Sequence, residues 1–377
     1  MMNIKKQLQF LVVFSFFILS FSSDKGSIKL KSTVVEAPFK MPAIISPDFS
    51  ACTSLSIVDF GALKGDKIKT TEAIAKAIAK ANSIGGGKVV VPEGEWLTGK
   101  IHLKSNVNLH LNKGSTLLFS EDPNDYLPAV FIQFNRSENI LIEGITITNS
   151  PFWTTHLYLS KNITVRNVKI YAHGHNNDGI DPEMSQNVLI ENCTFDQGDD
   201  AIAIKSGRNP EGWRLKTPSK NIVIRNCMVK NGHQLVAIGS ELSGGIENVF
   251  INNCKVVDGA KLDHLIFIKT NERMGGYVKN IYAKNITAGK IDLGILGIET
   301  DVLYQWRTLV PTVIKKLTPI EHIYLENINA TKVKFVSRVL AQKELPVKNV
   351  RLTKVTADTI SDKKHIHENL LKFGENL

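Results

Sequence analysis

A short pattern recurs through most of this 377-residue chain and constrains its fold more than any other feature. Asparagine is followed by an apolar, an arbitrary and a second apolar residue at Asn139-Ile-Leu-Ile, Asn162-Ile-Thr-Val, Asn187-Val-Leu-Ile, Asn221-Ile-Val-Ile, Asn248-Val-Phe-Ile and Asn280-Ile-Tyr-Ala. His322-Ile-Tyr-Leu and Asn349-Val-Arg-Leu continue the series, and the successive spacings are 23, 25, 34, 27, 32, 42 and 27 residues. A base of roughly two dozen residues, with insertions only between short strands, describes the coils of a solenoid with loops at some corners. Alternation within each strand turns every second side chain inward. A second asparagine follows five residues later in six coils, at Asn167, Asn192, Asn226, Asn253, Asn285 and Asn327. Asparagine tolerates left-handed turn geometry, and its amide can bond the same amide one coil away. Leucine-rich repeats would need a regular Leu framework, and the strands are too short and β-branched for helical repeats. The expected fold is all-β, a single-domain right-handed parallel β-helix.

The flanks read differently. Lys5 and Lys6 precede an apolar run from Leu8 to about Phe21, followed by Ser22 and Ser23, the pattern of an export signal over 1–22. The run is too short to prefer a membrane span, so the expected location is secreted or periplasmic, without stable membrane insertion. Residues 23–50 read as an N-terminal extension, 51–362 as the β-helix, and 363–377 as a polar tail or short closing helix. Ahead of the coils, Ala73, Ile74, Ala77, Ile78 and Ala81 form the apolar stripe of one helix, with Thr70 or Thr71 as its cap and Gly85-Gly86-Gly87 ending it. A lone amphipathic helix there caps the solenoid end. Cys193, Cys227 and Cys254 each follow the same motif, so they are expected to be stacked, buried free thiols rather than disulfides or metal ligands. Net charge is +10; a basic surface attracts polyanions, and an exported protein meets acidic polysaccharides more often than nucleic acid. A monomer is expected.

Three successive coils carry an unusual polar load: His173-Gly-His-Asn-Asn-Asp-Gly-Ile-Asp181, Gln197-Gly-Asp-Asp-Ala-Ile-Ala-Ile-Lys-Ser-Gly207 and Gly232-His-Gln-Leu-Val-Ala-Ile-Gly-Ser-Glu241, followed by Phe267-Ile-Lys-Thr-Asn271. Counted from the coil asparagines, Asp199 and His233 both fall twelve residues on, which puts them at one corner of adjacent coils. Asp178-Gly-Ile aligned with Asp200-Ala-Ile stacks Asp178 on Asp200, while Lys205, Gly239 and Lys269 form a column. Three carboxylates, an imidazole and an ammonium then share one face. Crowded carboxylates resist joint ionisation, so at least one keeps its proton. Hydrolysis of a glycosidic bond needs that division, an acid for the leaving oxygen and a base for water. Turn-capping acids or a calcium site are the plainer alternatives for such residues.

At these residues the chain resembles glycoside hydrolase family 28, the polygalacturonase family, over about Ser56 to Thr331. The family's Asn-x-Asp matches Asn176-Asn177-Asp178, its Gly-Asp-Asp matches Gly198-Asp199-Asp200, its Gly-His matches Gly232-His233, and the Lys of its Arg-Ile-Lys matches Lys269. Asp178-Gly-Ile-Asp-Pro182, Lys205-Ser-Gly-Arg208, Gly239-Ser-Glu-x-Ser-Gly-Gly245 and Asn149-Ser-Pro-Phe-Trp153 are most similar to its exo-acting branch. The resemblance implies Asp199 as general acid, Asp178 and Asp200 as the groups that hold and deprotonate water, His233 as the residue that tunes the acid, and Lys269 as the partner of a substrate carboxylate. It implies inversion, no cofactor and no metal, with an acidic plant-type polysaccharide as substrate.

Two departures concern specificity. Phe267 stands where the family has the Arg of Arg-Ile-Lys, removing a bidentate clamp, and Gln234 and Leu235 replace small glycines after the histidine. They suggest a decorated, rhamnogalacturonan-type fragment in place of plain polygalacturonate. Further candidates for substrate contact are Asn176, His173, His175 and Arg208, with Trp153 and His156 as a sugar platform and Tyr304 and Trp306 lining the cleft. Glu241 reads as structural. A β-helix polysaccharide lyase and a non-catalytic carbohydrate-binding β-helix remain as alternatives.

Overall fold

A computed structural model describes residues 28–125, 131–302 and 314–376; the export signal read over 1–22 and the candidates Tyr304 and Trp306 lie outside them. Among the described residues the chain winds as a right-handed parallel β-helix. One face is a nine-stranded parallel sheet that begins at Ile132–Asn135 and ends at His365–Glu368. A fourteen-stranded sheet wraps the remainder, and its late strands Val278–Lys290, Ile320–Val333 and Val347–Ile360 run unbroken around a corner. Inward residues of both sheets, such as Ile163, Val188 and Ile222 of the larger and Ile180, Ile202 and Val236 of the smaller, form one continuous buried core.

The asparagine pattern does what its chemistry predicts. Asn139, Asn162, Asn187, Asn221, Asn248 and Asn280 all have φ between 54° and 59°. From Asn162 onward each side-chain amide donates to the amide oxygen one coil back, at 3.1, 3.3, 3.1, 3.0 and 3.0 Å along the series. The second asparagines, Asn167 to Asn327, are also left-handed, with φ of 52–55°. Cys193, Cys227 and Cys254 are buried free thiols, with Cys227 between the other two.

Two expectations change, the helix cap and the last residues, and the extension gains a structure. The helix runs Lys67–Ser83 and is capped by Asp66, whose carboxylate accepts from the Lys69 N–H at 2.9 Å. Thr70 and Thr71 lie inside it, bonded to the Leu63 and Lys67 carbonyls, so they do not cap it. Its stripe packs on Ile57, Val89, Val91 and Trp96 as the end of the solenoid. The extension is folded: Lys29–Thr33 pairs antiparallel with Ile44–Asp48, and Val35 and Ile44 bury against Leu189 and Val223 on the outer face of the larger sheet. The last residues are neither tail nor helix, because His365–Glu368 and Leu370–Asn376 add one more coil to the two sheets. An end coil buries only one side, so its apolar pattern is weak and Leu371 stays half exposed.

Asn221 sits mid-ladder, gives one amide bond and accepts another, and holds φ at 56°. Asn221→Ala loses both bonds and strains the left-handed backbone, and is expected to cost about 2–3 kcal/mol in urea denaturation. Asn221→Gly, which removes only the bonds, is expected to cost about half as much.

Candidate active site

The polar coils meet on the nine-stranded face because backbone bonding sets their register. The Gly179 N–H donates to the Asp200 carbonyl at 2.9 Å, which stacks Asp178 over Asp200. A Cβ at Gly179 would strike the Ala201 carbonyl oxygen and the Phe195 ring, so only glycine admits this approach. One coil further, the His233 N–H donates to the Asp199 carbonyl at 3.0 Å. Asp178, Asp199, Asp200, His233 and Lys269 thus come together from four separate stretches of chain.

Their side chains form two linked pairs. His233 Nδ1 lies 3.0 Å from Asp199 Oδ1, which also accepts the Asp200 N–H at 2.8 Å. Lys269 Nζ lies 3.1 Å from Asp200 Oδ2. Burial drives the Asp200 carboxyl up to about 6, opposed by the Lys269 ammonium and assisted by the charges of Asp178 and Asp199. Burial acts in the same direction on Asp199, but the His233 hydrogen bond and charge, with Lys269, outweigh it and leave that carboxyl below its ordinary value. His233 is correspondingly raised by its bond to Asp199. The neighbouring carboxyls are therefore driven apart, as acid–base chemistry requires.

A second network lies directly behind. Lys205 is almost fully buried, with Nζ 3.3 Å from Asp178 Oδ2, 3.6 Å from Asp181 Oδ1 and 3.7 Å from Glu241 Oε2. Burial opposes its charge, but Asp178, Glu241 and Asp181 overcome that and hold the ammonium well above its usual range. Arg208 grips Glu241 Oε1 through Nε at 3.0 Å and Nη2 at 2.6 Å. Burial would raise the Glu241 carboxyl, yet Lys205 and Arg208 bring it down to about 2. The Trp153 ring covers the Lys205 ammonium, 4.5 Å from its centroid.

The remaining predicted residues are distributed unevenly. His175 is exposed and Asn176 half-buried in the turn before Asp178, with Asn176 at φ 55°. His173 is tied to Asp196 at 2.7 Å. Gln234 is buried beside His264, its register partner in the next strand. Phe267 is also buried and stacks face to face on His264, with centroids 4.5 Å apart; Lys269 Nζ lies 5.9 Å from its ring. His156 is held at both ring nitrogens, by Gln133 at 3.2 Å and Glu183 at 2.7 Å. Sequence reasoning missed Asp181 and the hub role of Lys205. Counting the strand column His156, Asp181, Ala203 would have exposed the first. Asp199, Asp200 and His233 each offer a ligand atom within 4.8 Å of the others, the one such grouping among the described residues. A cation there would compete with the Lys269 ammonium.

The sequence model of glycosyl hydrolases family 28 matches residues 112–372. The chain belongs to that family. It is 29% identical over 299 residues to the "Probable polygalacturonase" of Vitis vinifera, covering 62% of this chain and 60% of the relative. It is 25% identical over 297 residues to a "Probable polygalacturonase" of Arabidopsis thaliana, covering 61% of that protein. The chain thus spans about 60% of the length of these curated relatives. Among solved structures it resembles the hyperthermoactive exopolygalacturonase of Thermotoga maritima, with TM-score 0.76, 27% identity, and coverage of 88% of this chain and 94% of that one. The polygalacturonase of Erwinia carotovora shares the fold, with TM-score 0.67 at 19% identity.

Removing the hub should leave buried carboxylates without their cation. Lys205→Met is expected to lose about 3–5 kcal/mol of stability at pH 7 in urea titrations. The loss should shrink toward pH 4, where protonation relieves the repulsion.

Proposed function

We propose that the protein is an exported, inverting glycoside hydrolase that removes galacturonosyl residues from the ends of pectic chains. The observation that carries this reading is the convergence of Asp178, Asp199 and Asp200 with His233 and Lys269 on one face. In the free protein the proton kept up to about pH 6 sits on Asp200, while His233 holds Asp199 below its ordinary value. Asp199, the more open of the two, donates to the glycosidic oxygen once a bound sugar shuts out water and that proton passes to it from Asp200. Asp178 and Asp200 take the proton of the water that attacks the anomeric carbon, and Lys269 turns toward a substrate carboxylate. The name of the Thermotoga maritima relative supports exo action. Among the described residues no helix is long and apolar enough to cross a membrane.

The sugar beside the cleaved bond is where this chain departs from polygalacturonate. Phe267 replaces a guanidinium with a ring that is buried and stacked on His264, so the position offers no clamp for a carboxylate. That loss favours an uncharged sugar there, as in a rhamnogalacturonan-type fragment. Phe267→Arg is expected to shift the kcat/KM ratio of linear over branched oligosaccharides upward by about tenfold.

The deciding test is hydrolysis of defined linear and branched pectic oligosaccharides, read by product mass and by the anomeric proton signal. Expected are single terminal residues of inverted configuration and a loss of about 10²–10⁴-fold in kcat for Asp199→Asn. An unsaturated, ultraviolet-absorbing product, or activity abolished by chelator, would instead make the protein a lyase.

The kcat/KM profile should lose activity as pH rises through about 6, where Asp200 gives up the proton that supplies the acid. Lys269 lowers that value, so Lys269→Met is expected to move the alkaline limb to higher pH while reducing the maximum.

A further inference from the structure

Asp181 is fully buried, three residues after Asp178 on the strand Ile180–Glu183. Neither of its oxygens receives a hydrogen bond from a donor among the described residues, and its carboxyl shares one ammonium with Asp178, Lys205 Nζ lying 3.6 Å from Asp181 Oδ1 and 3.3 Å from Asp178 Oδ2. Two buried carboxyls crowded on a single ammonium resist joint ionisation, so one of them keeps its proton. The nearby charges agree. Asp178, Asp181, Asp200 and Glu241 face Lys205, Lys269 and Arg208, so four acids share three cations. His156, the register neighbour of Asp181 in the preceding coil, is engaged by Glu183. Within this group Glu241 has Arg208 besides its share of Lys205 and Asp200 has Lys269, whereas Asp181 shares Lys205 with two other carboxylates and sits farther from it than Asp178 does.

We propose that Asp181 stays protonated at neutral pH and donates a hydrogen bond to Asp178, making it a positioning residue for the base. One Asp178 oxygen is then held by Lys205 and the Asp181 hydroxyl, which leaves its remaining lone pairs for the attacking water. Burial, followed by the charge of Asp178, drives the Asp181 carboxyl well above its ordinary range, in agreement with this placement. Asp181 touches neither water nor sugar itself. The inference rests on the hydrolytic reading for its consequence, but the protonation state stands apart from that reading.

Two measurements test it on the full chain. In protein labelled with carbon-13 at the aspartate carboxyls, one protonated carboxyl signal is expected to persist at pH 7 and to vanish in Asp181→Asn; if no such signal exists, or Asp181→Asn leaves it in place, the proposal is overturned whatever the enzyme does. In turnover assays Asp181→Leu, which has similar shape and no donor, is expected to lose at least about tenfold in kcat with a smaller change in KM. Its acidic limb should move to higher pH, because a base deprived of a donor holds its proton more tightly. Asp181→Asn keeps a donor and should restore most of the lost turnover and the original limb. An Asp181→Asn protein that folds, by circular dichroism, yet is as impaired as Asp181→Leu would mean that an ionised carboxylate is needed there, and would overturn the proposal. Failure of the wild-type protein to hydrolyse any galacturonoside would count against the proposed function alone, since the carboxyl signal reports on Asp181 independently.

Discussion

The structure depends on coil-to-coil stacking in fixed register. Parallel strands exchange backbone bonds with the coils on both sides, and left-handed asparagines turn each corner while their amides bond along the solenoid axis. A slip of one residue would turn every inward side chain outward. The asparagine ladder adds a polar reference point that repeats once per coil, and insertions are absorbed in the loops between strands. Residues far apart in sequence therefore meet predictably, as Asp178, Asp199, His233 and Lys269 do.

That regularity permits a dense pocket of charge. Ordinarily an uncompensated buried carboxylate would be expelled or neutralised. Here Lys205 serves three acids, Arg208 grips Glu241 and Lys269 serves Asp200. The balance falls short of full compensation, and the shortfall is what chemistry requires: some carboxyls keep protons where neighbours do not. The rear network around Lys205 is coupled to the front pair through Asp178, so stability and proton placement depend on the same contacts.

Phe267 is accommodated beside the acids by packing on its neighbours. Its ring lies flat on His264, and a Cβ at Gly297 would sit 2.8 Å from both rings. Gly297 keeps that space open one coil further along. Burial brings the His264 imidazole down to about 3, so the ring it offers to Phe267 is uncharged and stacks as an aromatic.

Much was legible in the sequence because a solenoid converts spacing into position. The coil count, the left-handed asparagines, the thiol stack, and the stacking of Asp178 on Asp200 and Asp199 beside His233 all followed from counting residues against a repeat. The ends were less legible: Asp66 took the cap assigned to Thr70 or Thr71, the extension folded onto Leu189 and Val223, and the last residues formed another coil, because elements with a single packed side carry weak periodicity. Counting also could not apportion charge. That Lys205 binds three carboxyls, that Arg208 is engaged by Glu241, and that Asp181 is sealed behind Asp178 depend on side-chain reach and burial across coils. Sequence determined which residues share a face; the tertiary structure decided which of them hold each other's charge, because distance and desolvation exist only once the coils are closed.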